Sequence, residues 1–276
     1  MEHLEFNSVT EMAQYLESTE RLPGAGEFSI RDQSERECKM TWDQAMDLAS
    51  NGGYWVEGAE KMVDGMANAA ALRENHSQPM IQYDVAGFMP DIPAYLAGQP
   101  DCMLHYDEGD MTVAQMPTVT IGVGTFSHAV SSTSAFNRGV AILSLIDAIE
   151  AVGYRVQLDF VGDNKTYGSS DSVKRIRVVL KRAQDHWNPG NVAFATANAA
   201  MLRRLTVACL ERDEDTVPRT QNGYGQGDDG YIEEYSLAFP YMISNAGYET
   251  LPKALASVQR MAEDFGIECN LTGASA

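Results

Sequence analysis

A mixed α/β or α+β fold follows from three observations in this chain. These are a helical first part, a β-rich run passing through a Ser-rich turn into an amphipathic helix, and two alternating segments joined by a polar link. The expected architecture is a mixed sheet with flanking helices, with a helical part over 1–75 and an α/β core over 76–276 that carries a long β-hairpin arm at 154–182. An OB-fold barrel is not expected. With 276 residues, 44% of them hydrophobic, the chain is long enough to bury a substantial core.

Ser8 caps a first helix whose Val9, Met12, Ala13, Tyr15 and Leu16 form one apolar stripe, and Glu11 completes a capping box. Pro23-Gly24-Ala25-Gly26 ends it. Thr41 caps a second helix that stops at Asn51-Gly52-Gly53; a third, about Val56 to Arg73, makes a helical hairpin with Tyr54 and Trp55 in its turn. From Gln78 to Met116, recurrent prolines predict loops packed over a core, with one short helical run, Ile92 to Leu96. Thr118 to Gly124 reads as a central strand, and Ser134 caps a helix carrying Val140, Leu143, Ile146, Ile149 and Val152.

Tyr154 to Val161 alternates with Val156, Leu158 and Phe160 on one face. Val173 to Arg182 alternates too, which places Arg175, Arg177 and Lys181 together on the face opposite Ile176, Val178 and Leu180. The Gly/Ser-rich link from Gly162 to Ser172 predicts a hairpin with a mobile tip. One Ala-rich helix from Val192 to Leu210 follows, with Arg203 and Arg204 near its end. An acidic loop over Glu211 to Glu234, a β-like piece from Tyr235 to Ile243, a helix from Leu251 to Phe265 and a disordered tail from Gly273 complete the reading.

The net charge is -19, yet the stretch from Arg155 to Arg204 holds nine basic residues against four acidic ones. Cations gathered in an acidic chain imply an anionic ligand there, unless the fold sends them to different faces. The acidic balance argues against non-specific binding to duplex DNA or an anionic membrane. No apolar run reaches membrane-spanning length, and the start has no basic-then-apolar leader, so the chain reads as soluble and intracellular. Cys38, Cys102, Cys209 and Cys269 contain no C-x-x-C pair and read as reduced thiols.

Signals for catalysis are weak. There is no phosphate-loop motif, and Gly122-Val123-Gly124 lacks the third glycine of a dinucleotide site. The five histidines never fall at metal-ligand spacing, and no Ser-His-Asp order is identifiable. Neither catalysis, a cofactor nor a metal is expected. The turn from Thr125 to Ser134 has two open readings: hydroxyls and helix amides arranged around an ion, or turn chemistry plus a helix cap.

Thr41-Trp42-Asp43-Gln44-Ala45 with Gly58-Ala59-Glu60, the Pro93 to Gly98 run, Asn137-Arg138-Gly139, Asp147 and Gly153-Tyr154-Arg155-Val156 resemble, in order, a family of phage proteins. It is the single-stranded DNA-binding RNA polymerase cofactor (Drc) family of lytic podophages that carry a giant virion polymerase. The resemblance implies a role in early transcription beside a phage RNA polymerase, in the cytoplasm of the infected bacterial host, with no membrane partner and with self-association left open. The strand, Ser-rich turn and helix also resemble a von Willebrand A-type unit, which implies the alternative of a metal or protein-interaction module; Thr125-Phe126-Ser127 lacks that motif's Asp.

Single-strand binding needs cations for phosphates and ring faces for bases. The candidates are Lys165 and Tyr167 in the hairpin tip, Lys174, Arg175, Arg177, Lys181 and Arg182 along its second strand, and Arg138 beside the Ser-rich turn. Trp187 and Phe126 are secondary candidates.

Overall fold

The computed structural model of the chain describes residues 3–31, 40–72, 81–84, 89–106, 117–127, 129–151, 153–165, 172–214, 216, 226–227, 235–264 and 271. In chain order the elements are β1 (His3–Phe6), α1 (Val9–Ser18), α2 (Trp42–Ser50), α3 (Val56–Leu72), β2 (Ile81–Asp84), β3 (Met89–Pro90), α4 (Ile92–Leu96), β4 (Met103–Tyr106) and β5 (Thr118–Val123). There follow α5 (Ser132–Ala151), β6 (Arg155–Lys165), β7 (Ser172–Lys181), α6 (Pro189–Ala197), a π-helical segment (Met201–Thr206), α7 (Val207–Leu210), β8 (Gln226–Gly227), β9 (Leu237–Phe239) and α8 (Leu251–Asp264).

The main sheet runs β1-β7-β6-β5-β9, with β8 paired to the outer end of β6. β5 is parallel to both β6 and β9, β6 and β7 are antiparallel, and β1 lies parallel to β7. A second sheet, β2-β4-β3, is antiparallel. The fold is therefore mixed α/β with flanking helices. Alternation buries Ile121, Val123, Val156, Leu158, Phe160, Ile176, Val178, Leu237 and Phe239 beneath the helices. Helix α5 lies at the centre of that layer and is buried along most of its length. It packs against α3, α6 and α8. Val9, Met12, Ala45 and Met62 from the N-terminal part join the same buried cluster as the sheet.

Local chemistry sets the helix ends. Ser8 Oγ accepts from Glu11 N–H at 3.1 Å, while Glu11 reaches back to Asn7 N–H instead of closing the box on Ser8 itself. Thr41 and Gln44 form a complete capping box on α2. Gly52 and Gly53, with φ of 89° and 70°, turn the chain from α2 into α3.

The structure corrects the sequence reading in five places. Residues 3–6 form an edge strand, so the first part is not helical throughout. Strands β2, β3 and β4 stand where loops are expected. Helix α5 starts earlier: Ser131 Oγ accepts from Ser134 N–H at 3.1 Å, and Ser134 is buried in the first turn. The expected helix from Val192 to Leu210 is broken at Asn198, which is extended (φ -100°, ψ 123°) and accepts from Ala200 N–H through its side chain at 2.9 Å. Last, Lys181 does not share a face with Arg175 and Arg177. Leu158 pairs with Lys181 but Asp159 with Val179, and this bulge turns Lys181 to the helix side, where Nζ donates to Glu150 at 2.7 Å and Val156 O at 2.8 Å.

Candidate functional site

An open groove of about 930 Å³ lies beside the carboxyl end of β5, the position at which open α/β sheets hold ligands. One wall is the helical hairpin, with Asp47 and Asn51 from α2 and Tyr54, Trp55, Glu57 and Lys61 from the turn and α3. Phe126 after β5, Phe136 on α5 and Asn198 at the end of α6 also line it. The hairpin turn is extended enough to aim both aromatics inward because Gly52 and Gly53 take the left-handed backbone.

Two glycines seat those rings. A Cβ at Gly190 would come within 2.7 Å of the Tyr54 ring, and one at Gly58 within 2.3 Å of Trp55, so each ring lies directly on bare backbone. Trp55 tilts against Phe136 at 5.6 Å between centroids, and Lys61 Nζ stands 5.3 Å from the Phe136 centroid. Tyr54 remains 43% exposed. Among the described residues the groove thus offers aromatic faces, three side-chain amides, two carboxylates and one ammonium, a set suited to stacking and hydrogen bonding and poor in positive charge.

Phe126 is fixed by pairing of the post-β5 and post-β9 loops: Met242 N–H donates to Thr125 O at 2.9 Å and Ser127 N–H to Met242 O at 2.8 Å. Arg138 lies beneath this loop, 2% exposed. Its guanidinium donates to the carbonyls of Gly124 (2.6 Å), Pro240 (2.9 Å) and Thr125 (3.4 Å). Burial lowers its pKa to about 10, against a smaller raising effect of Tyr248. Arg138 therefore holds the loops together from the interior. The serines of the turn are similarly engaged, Ser127 with Ile243 O and Ala129 N–H, Ser131 with Ser134. Among the described residues no group of three metal-ligating side chains occurs.

The face of the sheet away from the helices carries a smaller polar cavity of about 200 Å³ lined by Glu5, Thr120, Gln157, Asp159, Arg175, Arg177 and Tyr235. Asp159 is completely buried and accepts from Arg177 Nε at 2.8 Å, Gln157 Nε2 at 3.1 Å and Tyr235 Oη at 3.2 Å. The Tyr235 ring rests on Gly122, whose Cβ would lie 2.6 Å from it. Desolvation lowers the Arg177 pKa, but the charge and hydrogen bond of Asp159, with Tyr235 and Glu5, outweigh it and raise the value overall. Burial, then the Asp159 charge, push the Tyr235 hydroxyl up.

The basic stretch is therefore not one patch. Arg175 is 6% exposed and Lys181 1% exposed, while Arg177 is ion-paired to Asp159 and Glu5. Arg182 and Arg155 are exposed near one end of the hairpin. The backbones of Lys165 and Lys174 stand at its other end, opposite Ser172 and Asn164; their side chains, and Tyr167 altogether, lie outside the described residues. Trp187 donates to Asp147 at 3.1 Å and belongs to the packing of α5. The sequence places Tyr54 and Trp55 in the hairpin turn without marking them as a site, and it singles out neither Lys61 nor Phe136; the available signal is the Gly52-Gly53 turn running directly into two aromatics.

Fold and site together define an α/β protein with an aromatic groove at a strand end. The chain belongs to the DUF7192 family, a domain of unknown function whose family model matches residues 2–268. No curated protein and no solved structure matches it.

Proposed function

We propose that this protein is a non-catalytic binder of single-stranded nucleic acid and acts beside a phage RNA polymerase in early transcription, as the resemblance of its sequence implies. One observation carries the binding half of the reading: four aromatic side chains, Tyr54, Trp55, Phe126 and Phe136, line one open groove. Unpaired bases stack on such faces for roughly 1–3 kcal/mol each, and the amides of Asn51 and Asn198 suit base edges. Duplex bases are already stacked and do not enter. Asp47 and Glu57 repel phosphates, so the backbone stays at the solvent rim, where Lys61 meets it.

The same two carboxylates favour a second reading, a cationic peptide seated among the rings. Titration of intrinsic fluorescence with oligo-dT, with the matching duplex and with an oligo-lysine peptide separates the two. The nucleic-acid reading expects saturable quenching by oligo-dT alone; quenching by the lysine peptide alone overturns it.

A further inference from the structure

We infer that α4 is a preorganised docking helix for a partner protein with a basic-rimmed apolar groove, a surface separate from the aromatic groove and independent of the nucleic-acid reading. Helix α4 has five residues, none of them buried. Ile92, Tyr95 and Leu96 are 56%, 65% and 77% exposed. Their spacing, i, i+3 and i+4, puts them on one side of the helix, which is the pattern by which short helices anchor in grooves.

So short a helix is not stable by propensity, yet this one is fixed at both ends. Asp91 caps it by accepting from Ala94 N–H at 3.2 Å, and Pro93 occupies its first turn. Gly98, at φ 73°, closes it: Gly98 N–H donates to Tyr95 O at 3.0 Å and Gln99 N–H to Ala94 O at 3.1 Å, the two bonds of a Schellman end. Asp91 N–H also donates to Cys102 O at 2.8 Å, tying the helix to the small sheet. The fold thus holds an apolar face rigid while leaving it in water, which lowers the ordering cost of binding.

Charge selects the occupant. The described residues around α4, 89–106, hold two carboxylates, Asp91 and Asp101, and no lysine or arginine, in a chain of net charge -19. A second copy of this chain, at -19, a nucleic acid and an anionic membrane are all repelled from such a surface, whereas a cationic protein surface is attracted.

The test uses the whole chain and three synthetic amphipathic peptides of equal length, built from Leu and Lys, from Ser and Lys, and from Leu and Glu. The Leu/Lys peptide is expected to bind about tenfold or more tightly than either control. The double variant Tyr95→Ser, Leu96→Ser, and separately Ile92→Ser, should lose most of that margin with an unchanged melting temperature. Trp55→Ala should keep it. Equal binding of the Leu/Lys and Ser/Lys peptides, equal binding by the double variant, or loss of binding in Trp55→Ala overturns the inference. Self-association of the parent that disappears in the double variant also overturns it, by making this face an interface between copies.

Discussion

Tyr54 is the residue on which the groove depends most openly, because its ring is 43% exposed and rests on Gly190 instead of in the core. Tyr54→Ala is expected to weaken oligo-dT binding by about 1–3 kcal/mol and to leave stability nearly unchanged. Gly190→Ala is expected to act in the same direction by displacing the ring; affinity equal to the parent in both variants would remove the groove from the account. Arg138 makes the opposite prediction. Its loss leaves the carbonyls of Gly124, Thr125 and Pro240 without their shared donor, so Arg138→Ala should cost about 3 kcal/mol or more in denaturant unfolding. The sequence held a sign of this role: Arg138 stands on one helical stripe with Ser134, Ala135 and Ile142, all buried. A cation on an apolar stripe is a buried cation, and its partners, carbonyls more than ten residues distant on either side, are not written in any local pattern.

The elements divide by whether their signal is local. The β6–β7 hairpin was legible because both strands alternate over many residues. The bulge between Leu158 and Asp159 was not, since a bulge is a mismatch between two strands and neither shows it alone. One such mismatch removed Lys181 from the expected cationic face. Strand β1 escaped for a related reason: four residues acquire strand character only by pairing with β7. The caps of α1 and α2 were legible because capping is local chemistry. Loop pairing beyond β5 yields a further prediction. A Cβ at Gly124 would lie 2.8 Å from the backbone nitrogen of Tyr241, whereas a Cβ at Gly122 meets the side chain of Tyr235. Gly124→Ala should therefore destabilise by about 1–3 kcal/mol, more than Gly122→Ala, because backbone yields less than a ring. The reverse order by thermal unfolding would contradict the packing described.

For the whole molecule, the net charge is -19, and among the described residues the fold takes four cations, Arg138, Arg175, Lys181 and Arg204, into the interior. Composition sets the net charge; it does not say which cations the interior consumes. Stability should also fall in alkali. Burial raises the pKa values of Tyr235, Tyr241 and Tyr248 above the ordinary tyrosine value of 10.0, with Asp159 adding to the shift at Tyr235. The folded state thus keeps these protons longer than the unfolded chain does. The stability they contribute is complete below pH 10.0 and is lost as the pH rises from there through the folded values. Unfolding free energies measured on both sides of that pH should show the fall, and Tyr235→Phe should make it smaller.

Binding of oligo-dT by the parent and by Tyr54→Ala, each at two salt concentrations, tests the central claim most directly. Stacking in a groove whose described lining holds one cation, Lys61, predicts saturable single-strand binding with a shallow salt slope, about -1 on logarithmic axes, and weakened affinity in the variant at the same slope. Absence of binding, equal affinity for duplex, or a variant as tight as its parent would contradict it.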